Sequence, residues 1–105
     1  MITHVTDNTF EAEVMQEQGL VLLDFWAPWC GPCKMLGPVL EDLDAELGDK
    51  VKIKKMNTDE NRSTPEKFDI MGIPTMIFFK DGQAVETVVG FIGKEQIKNK
   101  ILAAL

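Results

Sequence analysis

Cys30 and Cys33 are the only two cysteines of this sequence, and Gly31 and Pro32 separate them. A pair spaced in this way can act as a redox-active dithiol. A purely structural disulfide across so short a loop would add little stability by restricting the unfolded chain. A four-ligand zinc site would need two further ligands, and His4 is the sole histidine. The spacing therefore favours a redox pair, with a structural bridge or half of a metal site as the alternatives.

The residues on either side of the pair predict a strand before it and a long helix after it. Leu20 to Trp26 is nearly continuous apolar sequence, as in a central strand covered on both faces. Ala27 to Pro32 is predicted to be a loop. The helix that follows is predicted to be kinked by Pro38 and to end at Gly48. Four leucines recur along one face of this helix: Leu36, Leu40, Leu43 and Leu47.

This position predicts how the two cysteines divide the chemistry. Cys30 is expected at the helix N-terminus, where free N–H groups and the helix dipole favour the thiolate that attacks disulfides. Cys33 comes within reach around the first turn, and we expect it to be the more enclosed sulfur, suited to resolving a mixed disulfide. Lys34 is expected to be solvated, and Gly31-Pro32 adds no cation. The pair should therefore favour reducing other disulfides over oxidising them.

The rest of the chain alternates short apolar runs with helical stretches, which predicts an α/β fold with one central sheet and helices on both faces. The predicted strands are an edge strand over Ile2–Val5, a strand from Val51 to Met56, and two strands over Thr75–Phe79 and Ala84–Val89 that are joined by an Asp81-Gly82 turn. The predicted helices are one from Phe10 towards Gly19, capped within Thr6–Thr9, and a short one over Pro65–Ile70. A last helix is predicted after Gly93, with Ile97, Ile101 and Leu105 on one face.

Composition limits the classes of protein that this chain can belong to. Its 105 residues suit one compact domain, 1–105, that buries a core without staples. Asp and Glu number 17 against 11 Lys and Arg, which argues against binding to nucleic acid. We expect no membrane-spanning helix, and the segment from Met1 to Val5 lacks the features of a signal peptide. A cytoplasmic location is expected.

Other side chains near the pair have a functional and a simpler interpretation. Asp24 interrupts the apolar run, where an unpaired carboxylate is costly, so it is either a satisfied structural aspartate, a strand end that reaches water, or a functional group. Trp26 is expected to pack and Trp29 to form the rim of a docking surface. His4 is expected to be an ordinary surface residue. Two acidic clusters are expected to be solvated faces: Glu41-Asp42 and Asp59-Glu60.

The segment from Trp26 to Lys34 resembles the active-site segment of the thioredoxin family, and the resemblance extends over essentially the whole chain. It implies the thioredoxin fold, a mixed five-stranded sheet flanked by four helices on both faces. Three further single residues match family positions: Asp24 its buried aspartate, Pro38 its helix-kink proline, and Lys55 its lysine on the next strand. The segment Gly72-Ile73-Pro74-Thr75 matches the one that carries the family's cis-proline, and Phe79-Lys80-Asp81-Gly82 matches its hairpin turn. Gly90 matches the glycine beside its site.

The resemblance implies a general protein-disulfide reductase that carries electrons to target disulfides. Cys30 would be the nucleophile and Cys33 the resolving cysteine. Asp24 would accept and donate the proton of Cys33, with Lys55 as its partner. The remaining implied site residues are Gly31 and Pro32 for redox tuning, and Trp29, Ile73, Pro74 and Gly90 for substrate docking. A side chain at position 90 would block the docking groove, although Gly90 could instead only relieve crowding in a strand.

The resemblance also implies partners and a source of electrons. No cofactor would be bound, and the electrons would come from NADPH through a flavoprotein, thioredoxin reductase. Targets would include ribonucleotide reductase, peroxiredoxins and methionine sulfoxide reductase. The chain would act as a monomer without nucleic acid or membrane. A thiol oxidase or isomerase is the main rival and would be expected to have a signal sequence and a histidine between its cysteines. A scaffold role for the same surface stays open as a second function.

Overall fold

The chain folds around a central mixed sheet, and the computed structural model describes all 105 residues. The five strands are β1 (Thr3–His4), β2 (Leu20–Trp26), β3 (Val51–Asn57), β4 (Thr75–Lys80) and β5 (Gln83–Val89). Their order across the sheet is β1-β3-β2-β4-β5. Strands β1, β3 and β2 are parallel to one another, whereas β4 runs antiparallel to both β2 and β5. The predicted fold class is confirmed.

Helical segments lie on both faces of this sheet. They are a π-helical segment (Glu11–Met15), α1 (Gly31–Leu47), α2 (Ser63–Lys67) and α3 (Lys94–Ala104). Side chains alternate along β2, so Leu22 packs with α1 and α3 while Phe25 packs on the opposite face with Phe10 and Phe79. Because β2 is covered on both faces, its sequence needs no polar alternation. None of the helices is long and apolar enough to span a bilayer.

The predicted N-terminal helix is a short π-helical segment in the structure. Thr6 and Thr9 bond to each other in the turn before it, with the Thr9 N–H donating to Thr6 Oγ1 at 3.3 Å, but no side chain caps the segment itself, so the capping prediction is wrong for Glu11–Met15. The helical segment ends at Met15, four residues before Gly19. On its side facing the sheet, Lys54 Nζ donates to the backbone carbonyl of Glu13 at 2.5 Å. A lysine on β3 therefore satisfies a carbonyl of this segment.

The short helix after β3 begins and ends earlier than Pro65–Ile70, so that prediction is wrong in its bounds. It begins at Ser63 because the Asp7 carboxylate accepts hydrogen bonds from the first free N–H groups of α2. It ends at Lys67, and Asp69 then has a φ of 52°, which a continuing helix cannot accommodate.

The ends of the two longer helices also differ from the prediction. Gly31 and Pro32 belong to the first turn of α1 and not to the preceding loop. Proline is tolerated there because the first helical N–H groups have no partner within the helix. Pro38 lies inside α1 and Gly48 follows its last residue, as predicted. In α3 the buried residues are Ile97 and Ile101, whereas Leu105 lies beyond the helix and is 49% exposed.

Candidate active site

Cys30 and Cys33 form a disulfide at the N-terminus of α1. Cys30 is the N-cap, with an extended backbone (φ −87°, ψ 113°), and Cys33 lies in the first turn of the helix. The Cys33 N–H donates to Cys30 Sγ at 3.2 Å. The sulfur of Cys30 therefore occupies the place that a capping oxygen takes in other helices, where a thiolate is stabilised once the bridge is reduced.

The two cysteines are buried to nearly the same degree. Cys30 is 4% and Cys33 is 3% exposed, so the expected difference in enclosure is very small in the oxidised protein. Both pack with Ala27, and Trp26 and Ile73 complete the cluster. Position relative to the helix, and not burial, is therefore what distinguishes the two cysteines.

Asp24 lies in the middle of β2 and is completely buried. Neither of its carboxyl oxygens accepts a hydrogen bond. Burial raises the pKa of Asp24 to about 7, and the positive charge of Lys55 on β3 opposes that rise. Complete burial excludes the interpretation of Asp24 as a strand end that reaches water, and no side chain or backbone group of the protein donates a hydrogen bond to its carboxylate. A carboxyl with this pKa exchanges protons readily at neutral pH.

Lys55 is directly opposite Asp24 in the register between β2 and β3. Its ammonium, however, lies over the ring of Trp26, with Nζ 4.7 Å from the ring centroid. His4 is opposite Lys55 on β1, and its ring centroid is 6.3 Å from that of Trp26. His4 is exposed, as predicted, but it is also a neighbour of the tryptophan next to the site.

Trp29, the residue before Cys30, is held by a side chain that the sequence did not indicate. It is 68% exposed, as expected of a rim residue, and its Nε1 donates to Asp59 Oδ1 at 3.1 Å. Asp59 and Glu60 are exposed, as expected of a solvated face, and Asp59 in addition holds the Trp29 side chain. Asp59 follows β3, next to the end of β2 in the sheet, and this shared edge is the one signal that could have linked it to the site.

The segment before β4 contacts Cys30 from the other side. The Ile73–Pro74 peptide bond is cis. The carbonyl oxygen of Ile73 lies 3.7 Å from Cys30 Sγ, which has no proton to donate while it is in the disulfide. No backbone hydrogen bond uses the N–H or the carbonyl of Ile73. The backbone N–H and carbonyl of Ile73, beside the sulfur, therefore have no backbone partner in the protein.

Gly90 follows β5 and is joined to this segment, because its N–H donates to the carbonyl oxygen of Pro74 at 2.7 Å. Its φ is 92°, a conformation that residues with a side chain rarely adopt. A Cβ built at this position would meet no atom within 4 Å. Relief of crowding is therefore not the reason for this glycine. The positive φ is the reason that the structure shows for glycine at this position.

Asp7 anchors the loop between β3 and α2 from a distant part of the chain, whereas its place in the sequence predicts only a local capping role. Its Oδ1 accepts from the N–H of Thr64 at 2.9 Å and its Oδ2 from the N–H of Arg62 at 3.0 Å. In return the Asp7 N–H donates to Asn61 Oδ1 at 2.9 Å. These bonds anchor the loop between β3 and α2, which also carries Asp59. No sequence signal links residues so far apart.

A disulfide of this spacing at a helix N-terminus, in a chain whose preceding strand holds a buried carboxyl with a raised pKa, is typical of a thiol–disulfide oxidoreductase. The family model described as thioredoxin matches residues 1–103. The chain is 54% identical to a thioredoxin of Bacillus subtilis over 95% of its length and 94% of that protein. It is 50% identical to a thioredoxin of Listeria monocytogenes over 96% of each chain. The chain belongs to the thioredoxin family. It is a protein-disulfide oxidoreductase that reduces disulfides by dithiol–disulfide exchange, and such proteins carry no bound cofactor.

Proposed function

We propose that reduction of a target begins at Cys30. In the reduced protein its thiolate attacks one sulfur of the target disulfide, a mixed disulfide forms, and the other target sulfur leaves as a thiolate. The Cys33 thiol then gives its proton to the Asp24 carboxylate and attacks the Cys30 sulfur. The second target sulfur leaves and is protonated. Two electrons pass to the target, and the protein ends with the Cys30–Cys33 disulfide.

The observation that supports this order most directly is the hydrogen bond from the Cys33 N–H to Cys30 Sγ at 3.2 Å. A donor aimed at the sulfur stabilises its negative charge, and the helix dipole adds to it. Gly31, Pro32 and Lys34 are exposed and put no further cation on the sulfur. In this proposal only the helix N-terminus stabilises the Cys30 thiolate, and a pair without further stabilisation of its reduced form acts as a reductant and not as an oxidant.

We propose that the target chain docks against Trp29, Ile73, Pro74 and Gly90. The free N–H and carbonyl of Ile73 would pair with the backbone of an extended target segment, which makes recognition independent of most side chains. Trp29 borders an apolar depression of about 210 Å³ that Met71, itself 95% exposed, also lines. Exposed apolar surface of this kind beside a reactive sulfur is typical of a protein-binding face.

The electrons are proposed to come from NADPH through a flavoprotein reductase, thioredoxin reductase. The proposed targets are proteins with accessible disulfides, such as ribonucleotide reductase, peroxiredoxins and methionine sulfoxide reductase. The proposed setting is a monomer of one domain in the cytoplasm. Both apolar cores share the same sheet, which supports a single folding unit.

Reduction of insulin disulfides tests this function. The assay contains NADPH, a thioredoxin reductase and this protein, and NADPH oxidation and insulin precipitation are followed together. The wild type is expected to turn over, and Cys30→Ser is expected to stop turnover completely. Wild-type turnover no higher than that of Cys30→Ser would overturn the proposal. Dithiothreitol in place of NADPH and reductase separates loss of exchange from loss of the reductase contact.

A further inference from the structure

Lys55 has two possible partners on the same face of the sheet, and it contacts only one of them. Asp24 and Trp26 are two residues apart in β2, so their side chains share a face. Lys55 is in register with Asp24, yet no ion pair joins them. The ammonium instead lies 4.7 Å from the centroid of the Trp26 ring, within the range of a cation–π interaction.

The indole of Trp26 is not explained by hydrogen bonding. Its Nε1–H is buried and has no partner. A phenylalanine would fill much of the same space without leaving a donor unsatisfied. What tryptophan offers over phenylalanine is a larger ring with the strongest attraction for a cation. The ring face is therefore the part of Trp26 that this position uses.

We propose that Trp26 is a positioning residue: its ring holds the Lys55 ammonium beside the Asp24 carboxyl but not on it, and so keeps Asp24 from being fixed as one half of an ion pair. A direct ion pair would favour the ionised carboxylate strongly. Asp24 would then be a poor acceptor for the Cys33 proton. This consequence for exchange rests on the proposed function, whereas the effect of the ring on Asp24 ionisation does not.

Other titratable groups around Asp24 have to be kept apart from this effect. From β1, His4 faces Lys55 and the Trp26 ring. From α1, Cys33 titrates once the bridge is reduced. From β4, Met76 is opposite Asp24 and does not titrate. Measurements on the oxidised protein in a His4→Gln background leave Asp24 and Lys55 as the groups that report on each other.

The experiment follows the Asp24 carboxyl carbon by NMR as pH is varied, in a cycle of Trp26 and Lys55 variants. About half of Asp24 is protonated at pH 7 in the parent protein. In Trp26→Leu the ammonium is free to reach Asp24, and the protonated fraction at pH 7 is expected to fall to about a tenth. Trp26→Phe keeps a weaker ring face and should fall between the two. If Trp26→Leu does not fold, the titration of Trp26→Phe tests the proposal in its place.

The same Trp26→Leu change in a Lys55→Gln background separates the ammonium from any water that enters the space. The protonated fraction is expected to change there by less than half as much. The proposal would be overturned if Trp26→Leu lowered the protonated fraction of Asp24 equally in the Lys55→Gln background, or did not lower it at all when Lys55 is present. Phe68→Leu is the matched control, since it removes one of the two cation–π contacts of Lys67 on the opposite face and should leave Asp24 unchanged.

A second measurement connects Trp26 to exchange. The rate of insulin reduction is expected to decline on the acidic side as Asp24 becomes protonated, and Trp26→Leu should move this decline to lower pH. If the Asp24 titration moves and the rate profile does not, the role of Asp24 as proton acceptor fails while the role of Trp26 stands. If neither moves, the role of Trp26 fails and the reductase function is untouched.

Discussion

Asp24 and Lys55 lie opposite each other in adjacent parallel strands, yet neither carboxyl oxygen of Asp24 accepts a hydrogen bond. An opposite charge is thus close enough to act through space but does not neutralise the carboxylate. The result is a buried acid that titrates near pH 7, where thiol exchange takes place. The chain keeps an unsatisfied polar group inside its core, which is typical of a functional position.

Asp24→Asn is expected to stabilise the protein at pH 8. The pKa of Asp24 is about 7 in the folded protein and about 3.9 in the unfolded chain, so the folded state holds the proton more tightly. The stability that Asp24 contributes by holding its proton is therefore fully present below pH 3.9 and is lost as pH rises through 7. Allowing for the buried amide, the variant should gain about 2–4 kcal/mol at pH 8 and almost nothing at pH 4. Urea melts at both pH values measure this.

The same variant should reduce insulin more slowly, because Cys33 loses its proton acceptor while Cys30 keeps its place at the helix N-terminus. Asp42→Asn is a matched control on the exposed face of α1. A stability gain for Asp24→Asn that is equal at pH 4 and pH 8 would show that this carboxyl does not titrate as a buried acid.

Asp59→Ala is expected to weaken target docking without unfolding the protein. The change removes the acceptor of the Trp29 indole N–H and leaves the Asp59 backbone bond to Asn57 Oδ1 in place. Loss of one exposed hydrogen bond should raise KM for insulin by about 2- to 10-fold with little change in kcat. Glu60→Ala, at the exposed neighbouring position, should leave KM unchanged. Equal KM values for both variants would mean that Asp59 does not position Trp29.

Asp7→Ala is expected to lower stability by about 1–2 kcal/mol at pH 7, because α2 loses its cap. Partial burial raises the pKa of Asp7, but hydrogen bonds from Thr64, Ser63 and Arg62 together outweigh it and hold the pKa below its usual value. The cap therefore stabilises the fold above pH 3.9 and is lost as pH falls further. Denaturant melts should show a large difference in the free energy of unfolding between Asp7→Ala and the wild type at pH 7, and a small one at pH 2.5. Asp49→Ala, at an exposed position, is the control.

Gly90→Ala is expected to destabilise the protein by about 1–3 kcal/mol although nothing occupies the space around it. The reason is the positive φ of 92°, which an alanine tolerates poorly. Gly31→Ala is the matched comparison, since its added methyl also meets open space but its backbone is helical. Guanidinium melts of both should show a loss at position 90 only. Equal losses would point to crowding or to docking of other chain segments at both sites.

Much of this fold could be predicted from local sequence. The strand from Leu20 to Trp26 was predicted with its bounds because it is apolar at every position but Asp24. The Asp81-Gly82 turn was predicted because both residues tolerate the positive φ values of 49° and 81° that they adopt. The cysteine pair was predicted to lie between a strand and a helix, because an almost continuous apolar run precedes it and leucines at helical spacing follow it.

The contacts that complete the site could not be predicted, because they join distant parts of the chain. Asp7 caps a helix more than fifty residues away, and Asp59 bonds to Trp29 across two strands. The nearly equal burial of Cys30 and Cys33 was also missed, since burial at a helix N-terminus depends on the loop of Ile73, which packs on it from elsewhere. Side chains that a sequence places on the surface can thus belong to the site.

The division of labour between Cys30 and Cys33 is tested most directly by trapping. Cys33→Ser and Cys30→Ser are immobilised, exposed to a cell lysate and washed, and proteins released by dithiothreitol are compared on gels. Cys33→Ser is expected to hold many targets as stalled mixed disulfides, because Cys30 attacks and nothing resolves the bond. Cys30→Ser should hold almost none. Equal trapping by the two variants, or more by Cys30→Ser, would contradict the assignment of Cys30 as the nucleophile.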